Sequence, residues 1–129
     1  MATLYKLQKD IAGYNGFGLP FSDLKYTASL AATTDTTLTI PTVSVIGAPL
    51  NQKQRFLAIV SVESSGSVWC ALNATAAVPV GATFAASTSE LIVGGQYYAR
   101  EVQGEDVMHF FTATAATDIS VTLYSLPAS

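Results

Sequence analysis

The chain has one cysteine, one histidine and few charges. Six Lys and Arg and nine Asp and Glu amount to 12% of its 129 residues, for a formal net charge of −3. A lone Cys cannot build an intramolecular disulfide framework. One Cys and one His also make a Cys/His zinc site hard to assemble within the chain. No metal, cofactor or catalytic residue is therefore expected. The low charge, with ample aromatics and β-branched residues, excludes a disordered solvating segment. Heptads of Leu with Glu, Lys and Arg are lacking, which excludes a coiled coil. The six basic residues (Lys6, Lys9, Lys25, Lys53, Arg55 and Arg100) are scattered rather than clustered. Nucleic-acid binding needs clustered cations to neutralise phosphates, so no nucleic-acid partner is expected.

Long hydrophobic runs are lacking too. The longest uncharged stretch is residues 64–89, and it contains Ser64, Ser65, Gly66, Asn73, Pro79 and Gly81. A spanning helix needs about 20 predominantly apolar residues, so no membrane partner is expected. The first residues, MATLYKLQKDIAGYNG, contain no apolar run of signal-peptide length. The expectation is a protein made and folded in a cytoplasm, and the Asn73-Ala74-Thr75 triplet reads as an accidental glycosylation pattern.

What the chain does have is small residues. Hydrophobic residues make up 50%, yet 19 Ala, 15 Thr and 12 Ser account for 46 of the 129 positions. Residues 1–30 stand apart. They hold Lys6, Lys9 and Lys25, several glycines, and the large apolar residues Tyr5, Tyr14, Phe17, Leu19, Phe21 and Tyr26. Neither a helical nor a strand period persists there. This segment reads as an extended N-terminal arm whose six large side chains dock on a partner, because aromatics supply large contact areas. A short helical turn over 4–11 is compatible with it. The run Gly13-Tyr14-Asn15-Gly16-Phe17-Gly18 lacks the strand, helix and Lys of a phosphate loop.

Residues 31–129 read as one β-sandwich domain. Residues 36–40 alternate polar and apolar, and 43–46 form a second short apolar piece. The clearest strand is 56–63: Phe56, Ala58, Val60 and Val62 share one face and should meet a core. Ser64-Ser65-Gly66 then suggests a hairpin into 67–72, where Trp69 and Cys70 must point opposite ways. Two extended pieces are expected near 76–80 and 83–86. Gly94-Gly95 suggests a second hairpin, joining 90–93 to 96–102. Strands over 107–114 and 119–126 complete the pattern. Seven to nine short strands with regular turn signals give an all-β fold: an antiparallel β-sandwich, jelly-roll-like. Its Ala-rich strands bury little apolar area per residue. At about 25 cal/mol per Å² such a sandwich gains from oligomerisation or docking.

Candidate chemistry is thin. His109, the one imidazole a Ser–His–Asp triad would need, falls within a strand. Cys70 sits beside Trp69 with no neighbouring cation, as an inert buried thiol does. Glu101, Glu105 and Asp106 around Gly104 lack calcium-loop spacing, and Glu63 with Glu90 carries no glycosidase signature by itself. Trp69, Tyr97, Tyr98 and Tyr124 are candidates for sugar stacking only if they are exposed.

Three stretches carry a resemblance: Val-Trp-Cys-Ala-Leu-Asn-Ala-Thr-Ala (68–76), the Gly-Glu-Asp-Val turn into an aromatic-ended strand (104–111), and Asp-Ile-Ser-Val-Thr-Leu-Tyr (118–124). Through them residues 56–126 resemble small accessory virion proteins of tailed bacteriophages, namely capsid decoration (cement) proteins and head-fibre or tail-associated β-modules. The resemblance implies a non-enzymatic structural protein, made in the host cytoplasm and residing on the capsid exterior. It would cement the shell through its arm and sandwich edges. Its partners would be the major capsid protein or other virion subunits, and it would be a homo-oligomer, dimer or trimer. The alternative is a receptor- or glycan-binding β-module of a fibre or tail. No functional residue carries over position by position.

Overall fold

A computed structural model describes residues 21–42, 54–113 and 116–126. Among them are eight strands and no helix: β1 (Leu24–Leu30), β2 (Thr36–Thr39), β3 (Arg55–Val62), β4 (Ser67–Leu72), β5 (Ser89–Val93), β6 (Tyr97–Gln103), β7 (Val107–Phe111) and β8 (Thr117–Ser125). They form two four-stranded antiparallel sheets, in the orders β1-β8-β3-β6 and β2-β7-β4-β5. The all-β sandwich expected from the turn spacing is what forms.

Alternation places the core. In β3 the side chains of Phe56, Ala58, Val60 and Val62 are buried, while Leu57, Ile59 and Ser61 are half-buried on the other face. Ile119, Val121 and Leu123 of β8 pair across to β3 and point the same way. From the second sheet come Val68 and Cys70 of β4, Ile92 of β5, and Met108 and Phe110 of β7. A strand's side chains point alternately to its two faces, so each sheet offers one apolar face, and the two faces close on each other.

Two readings of the pairing are corrected. β3 and β4 do not form a hairpin: β3 bonds to β6 and β8, and β4 bonds to β5 and β7. Nor do β5 and β6 pair, since they are edge strands of opposite sheets. Both turns carry the chain from one sheet to the other. They lie side by side at one end of the sandwich, where Gly66 N–H donates to Glu63 O (3.0 Å), Gly94 N–H to Gly66 O (2.8 Å) and Gly95 N–H to Val62 O (3.2 Å). Only β4 and β5 are consecutive strands that also pair.

A third correction concerns the arm. Its last seven residues, including Tyr26, are strand β1, in register with β8 from Leu24↔Leu123 to Leu30↔Thr117. Leu30 is fully buried, and Leu24 and Tyr26 pack against the core. The sandwich therefore begins before residue 31. The extended pieces expected near 76–80 and 83–86 are not strands either: residues 73–88 form a long connection between β4 and β5. The strand piece expected at 43–46 and the helical turn expected at 4–11 lie outside the described residues.

Candidate functional site

The outward face of the sheet β2-β7-β4-β5 carries side chains that an outer face usually lacks. Trp69 of β4 stands between Leu91 of β5 and Phe111 of β7. Trp69 and Phe111 are half-buried, and Leu91 and Val93 are 43% and 44% exposed. Over this row rises the β4–β5 connection.

The base of that connection is tightly held. Asn73 adopts a left-handed backbone (φ 57°), which Asn tolerates better than most residues. Its N–H donates to Val107 O (2.7 Å), and its side-chain oxygen accepts Val107 N–H (2.8 Å). Three residues on, Asp35 Oδ1 accepts Ala76 N–H (3.1 Å), and Ser89 Oγ accepts Ala77 N–H (3.1 Å). His109 Nδ1 donates to the other oxygen of Asp35 at 2.8 Å. The histidine and its carboxylate thus fasten a loop. No described hydroxyl hydrogen-bonds the second ring nitrogen in the way a triad serine would.

Beyond the base the connection changes character. Residues 79–88 are all exposed, and none makes a backbone–backbone hydrogen bond with a described residue. Val80 and Phe84 are wholly exposed. Between this loop and the row of Trp69 and Leu91, with Glu90 at its margin, lies a cleft of about 600 Å³, walled mostly by Val78, Pro79, Val80, Ala82, Phe84 and Ala85. Large apolar side chains fully in water, on a loop with no charge from Asn73 to Ser89, make an exposed apolar patch of the kind found at interaction sites and ligand-binding grooves.

Glu90, Ser87 and Ser89 at the cleft each have a partner. Glu90 makes a two-pronged ion pair with Arg100 of β6, at 2.8 Å through each nitrogen. This pair links the edge strands of the two sheets, and the Arg100 guanidinium lies 5.9 Å from the Tyr98 ring centroid. The Arg100 hydrogen bonds hold the Glu90 carboxyl below its ordinary range, and Glu90 raises Arg100 in return. Glu90 therefore adds stability above the ordinary carboxylate range and loses it as pH falls through its lowered pKa. Side-chain exposures of 46% and 45% limit the pair to about 1 kcal/mol or less. Ser87 Oγ accepts Ser89 N–H, and the Ser89 hydroxyl oxygen is bonded to Ala77.

Cys70 faces the core, 7% exposed. Burial, with a smaller contribution from Glu90, pushes its thiol up to about 12. A neutral aqueous thiol reagent is expected to leave it untouched in the native protein for hours and to modify it fully in denaturant. Rapid labelling of the native protein at pH 8 would contradict this burial. Among the described residues, no group of three or more His, Cys, Asp or Glu could hold a metal ion.

Of the six arm residues, Tyr5, Tyr14, Phe17 and Leu19 lie outside the described residues. Phe21 is 94% exposed, with the Lys25 ammonium 5.6 Å from its ring centroid, while Tyr26 is engaged in the sandwich. The described residues thus place two of the six, Phe21 in solvent and Tyr26 against the core. The loop with Val80 and Phe84 was not singled out as a contact surface from sequence. Its signal was the longest uncharged stretch, whose lack of charge also suits an exposed contact loop. A second groove, also about 600 Å³, crosses small residues of the other sheet, including Thr27, Ser29, Ser61 and Ser120. Glu63 at its rim is committed to the Asp118 N–H (3.0 Å).

Comparison of the chain with protein-family models, with curated proteins and with solved structures found no match in any of the three.

Proposed function

We propose that this chain is a non-enzymatic virion structural protein that decorates or cements the outer surface of a tailed-phage capsid. The observation that carries the reading towards assembly is the pinned, charge-free loop that holds Val80 and Phe84 in water above an apolar cleft. The capsid as partner rests on the resemblance of residues 56–126 to virion accessory proteins. We also read the sandwich as a jelly roll. Its first strand pairs with its last, and every connection but β4–β5 passes between the sheets, in the manner of two Greek keys. In this reading residues 1–20 and Phe21 form the docking arm, and the sandwich edges complete the contact with the shell.

Mass spectrometry of intact purified virions tests the proposal. The expected result is a copy number in proportion to the capsid subunits. A handful of copies would instead place the protein on a tail or fibre, and its absence from virions would remove the function altogether. A chain lacking residues 1–20 is expected to stay folded and fail to bind particles; undiminished binding would take the docking role from the arm. A glycan-array signal with an oligomeric preparation would favour the receptor-binding alternative.

A further inference from the structure

We infer that the β4–β5 loop is a contact between two copies of this chain, in which Phe84 of each copy enters the cleft beside Trp69 and Leu91 of the other. The inference extends the assembly reading of the same loop and names its occupant.

Three observations carry it. First, projection and recess occur together. The exposed Phe84 and Val80 rise from the same ten-residue loop that walls the cleft of about 600 Å³. A patch that holds both halves of a contact within one loop is self-complementary about a two-fold axis, as an isologous interface must be. Second, charge selects the face. Each copy carries a net charge of −3, so two copies repel wherever their carboxylates gather. No residue from Asn73 to Ser89 is charged, and Glu90 at the margin is neutralised by Arg100. Third, the walls are small. Gly81, Ala82, Ala85 and Ala86 let two backbones approach closely while the large side chains interlock.

Size sets the strength. Residues 79–88 with Leu91 and Val93 offer 12 exposed positions. A standard interface uses roughly 20–30 residues a side, so this contact is about half that size and is expected to give a weak, concentration-dependent dimer. Copies held side by side on a shell would meet at far higher effective concentration, and there the contact would be saturated.

Sedimentation velocity of the full chain, from about 1 to about 100 μM, reads it directly. The wild type is expected to pass from monomer to dimer. Phe84→Asp and Val80→Asp are each expected to raise the dissociation constant at least tenfold with unchanged melting curves, since neither side chain belongs to the core. Tyr97→Asp, an exposed residue of the other sheet, is expected to leave dimerisation as it is. A wild type that stays monomeric throughout overturns the inference, whether the loop closes on its own cleft or serves a capsid subunit. Dimerisation undiminished by both loop substitutions overturns it as well. Virion content separates the two proposals: a chain that dimerises through Phe84 but is absent from virions keeps the dimer and loses the decoration role. A monomer found on virions does the reverse.

Discussion

A chain shortened by residues 1–30 is expected not to fold, whereas one shortened by residues 1–20 keeps a cooperative unfolding transition close to that of the full chain. The second cut spares every described contact. The first removes all of β1, and with it seven residues in register with β8. Leu30 is 1% exposed, and Leu24 and Tyr26 pack on the core. Removing one buried Leu side chain costs about 2–5 kcal/mol. Deleting the strand also strips one side of Ile119, Val121 and Leu123 and leaves the β8 backbone without its outer partner. The total reaches the whole of a domain's usual stability of about 5–15 kcal/mol. Urea unfolding followed by circular dichroism measures both variants. A 31–129 chain with an unshifted midpoint would show that β1 is dispensable. A cut after residue 26 removes Leu24 and Tyr26 but spares Leu30, so it belongs between the two.

Gly94→Ala is expected to be the most damaging single-methyl change in the described turns. A Cβ at this position would overlap the Glu63 carbonyl oxygen and lie 2.7 Å from that of Gly66. Both obstacles are backbone, so no rotamer relieves them. The two sheet-crossing turns would have to separate, straining or breaking Gly94 N–H to Gly66 O and Gly95 N–H to Val62 O. Two such bonds with the accompanying distortion come to about 2–4 kcal/mol. Gly81→Ala is the matched control. A Cβ there meets nothing within 4 Å, and the change is expected to be neutral or to stabilise by up to about 1 kcal/mol. Denaturant midpoints of the two variants give the comparison, and equal stability would refute the close approach of the turns.

Gly94 also shows where sequence reading stops. Gly94-Gly95 does mark a chain reversal, and Gly95 has the positive φ (83°) that favours glycine. A reversal of this kind serves two geometries. In a hairpin the flanking strands lie side by side and share hydrogen bonds. In a crossing turn they rotate so that their apolar faces oppose each other across the core. Both geometries ask the same alternation of each strand, so Phe56, Ala58, Val60 and Val62 look identical in either. What separates them is which partners compete for each strand edge. β3 finds β8, more than 50 residues away, on one side and β6 on the other. Strand β1 is hidden in the arm sequence for a related reason. The alternation of Leu24, Tyr26 and Leu30 is interrupted by the small Ala28, and an edge strand, half-exposed even on its inner row, shows only a weak period.

The β4–β5 loop lies at the same limit. The absence of charge from residue 64 to residue 89 is plain in the sequence, but exposure is a property of the fold. Val68 and Phe84 belong to one uncharged stretch, yet one is fully buried and the other fully in water. Local residue chemistry was sufficient for the strand class, for the inward face of β3, and for the places where the chain turns. Each of these depends on a period of two or on the backbone preference of a few neighbouring residues. Strand partners, the passage of turns between sheets, the fastening of the β4–β5 loop by Asp35 and His109, and the cleft beside Trp69 were decided only in three dimensions. They depend on contacts between residues tens of positions apart, and the free energy of such contacts is written in no local pattern.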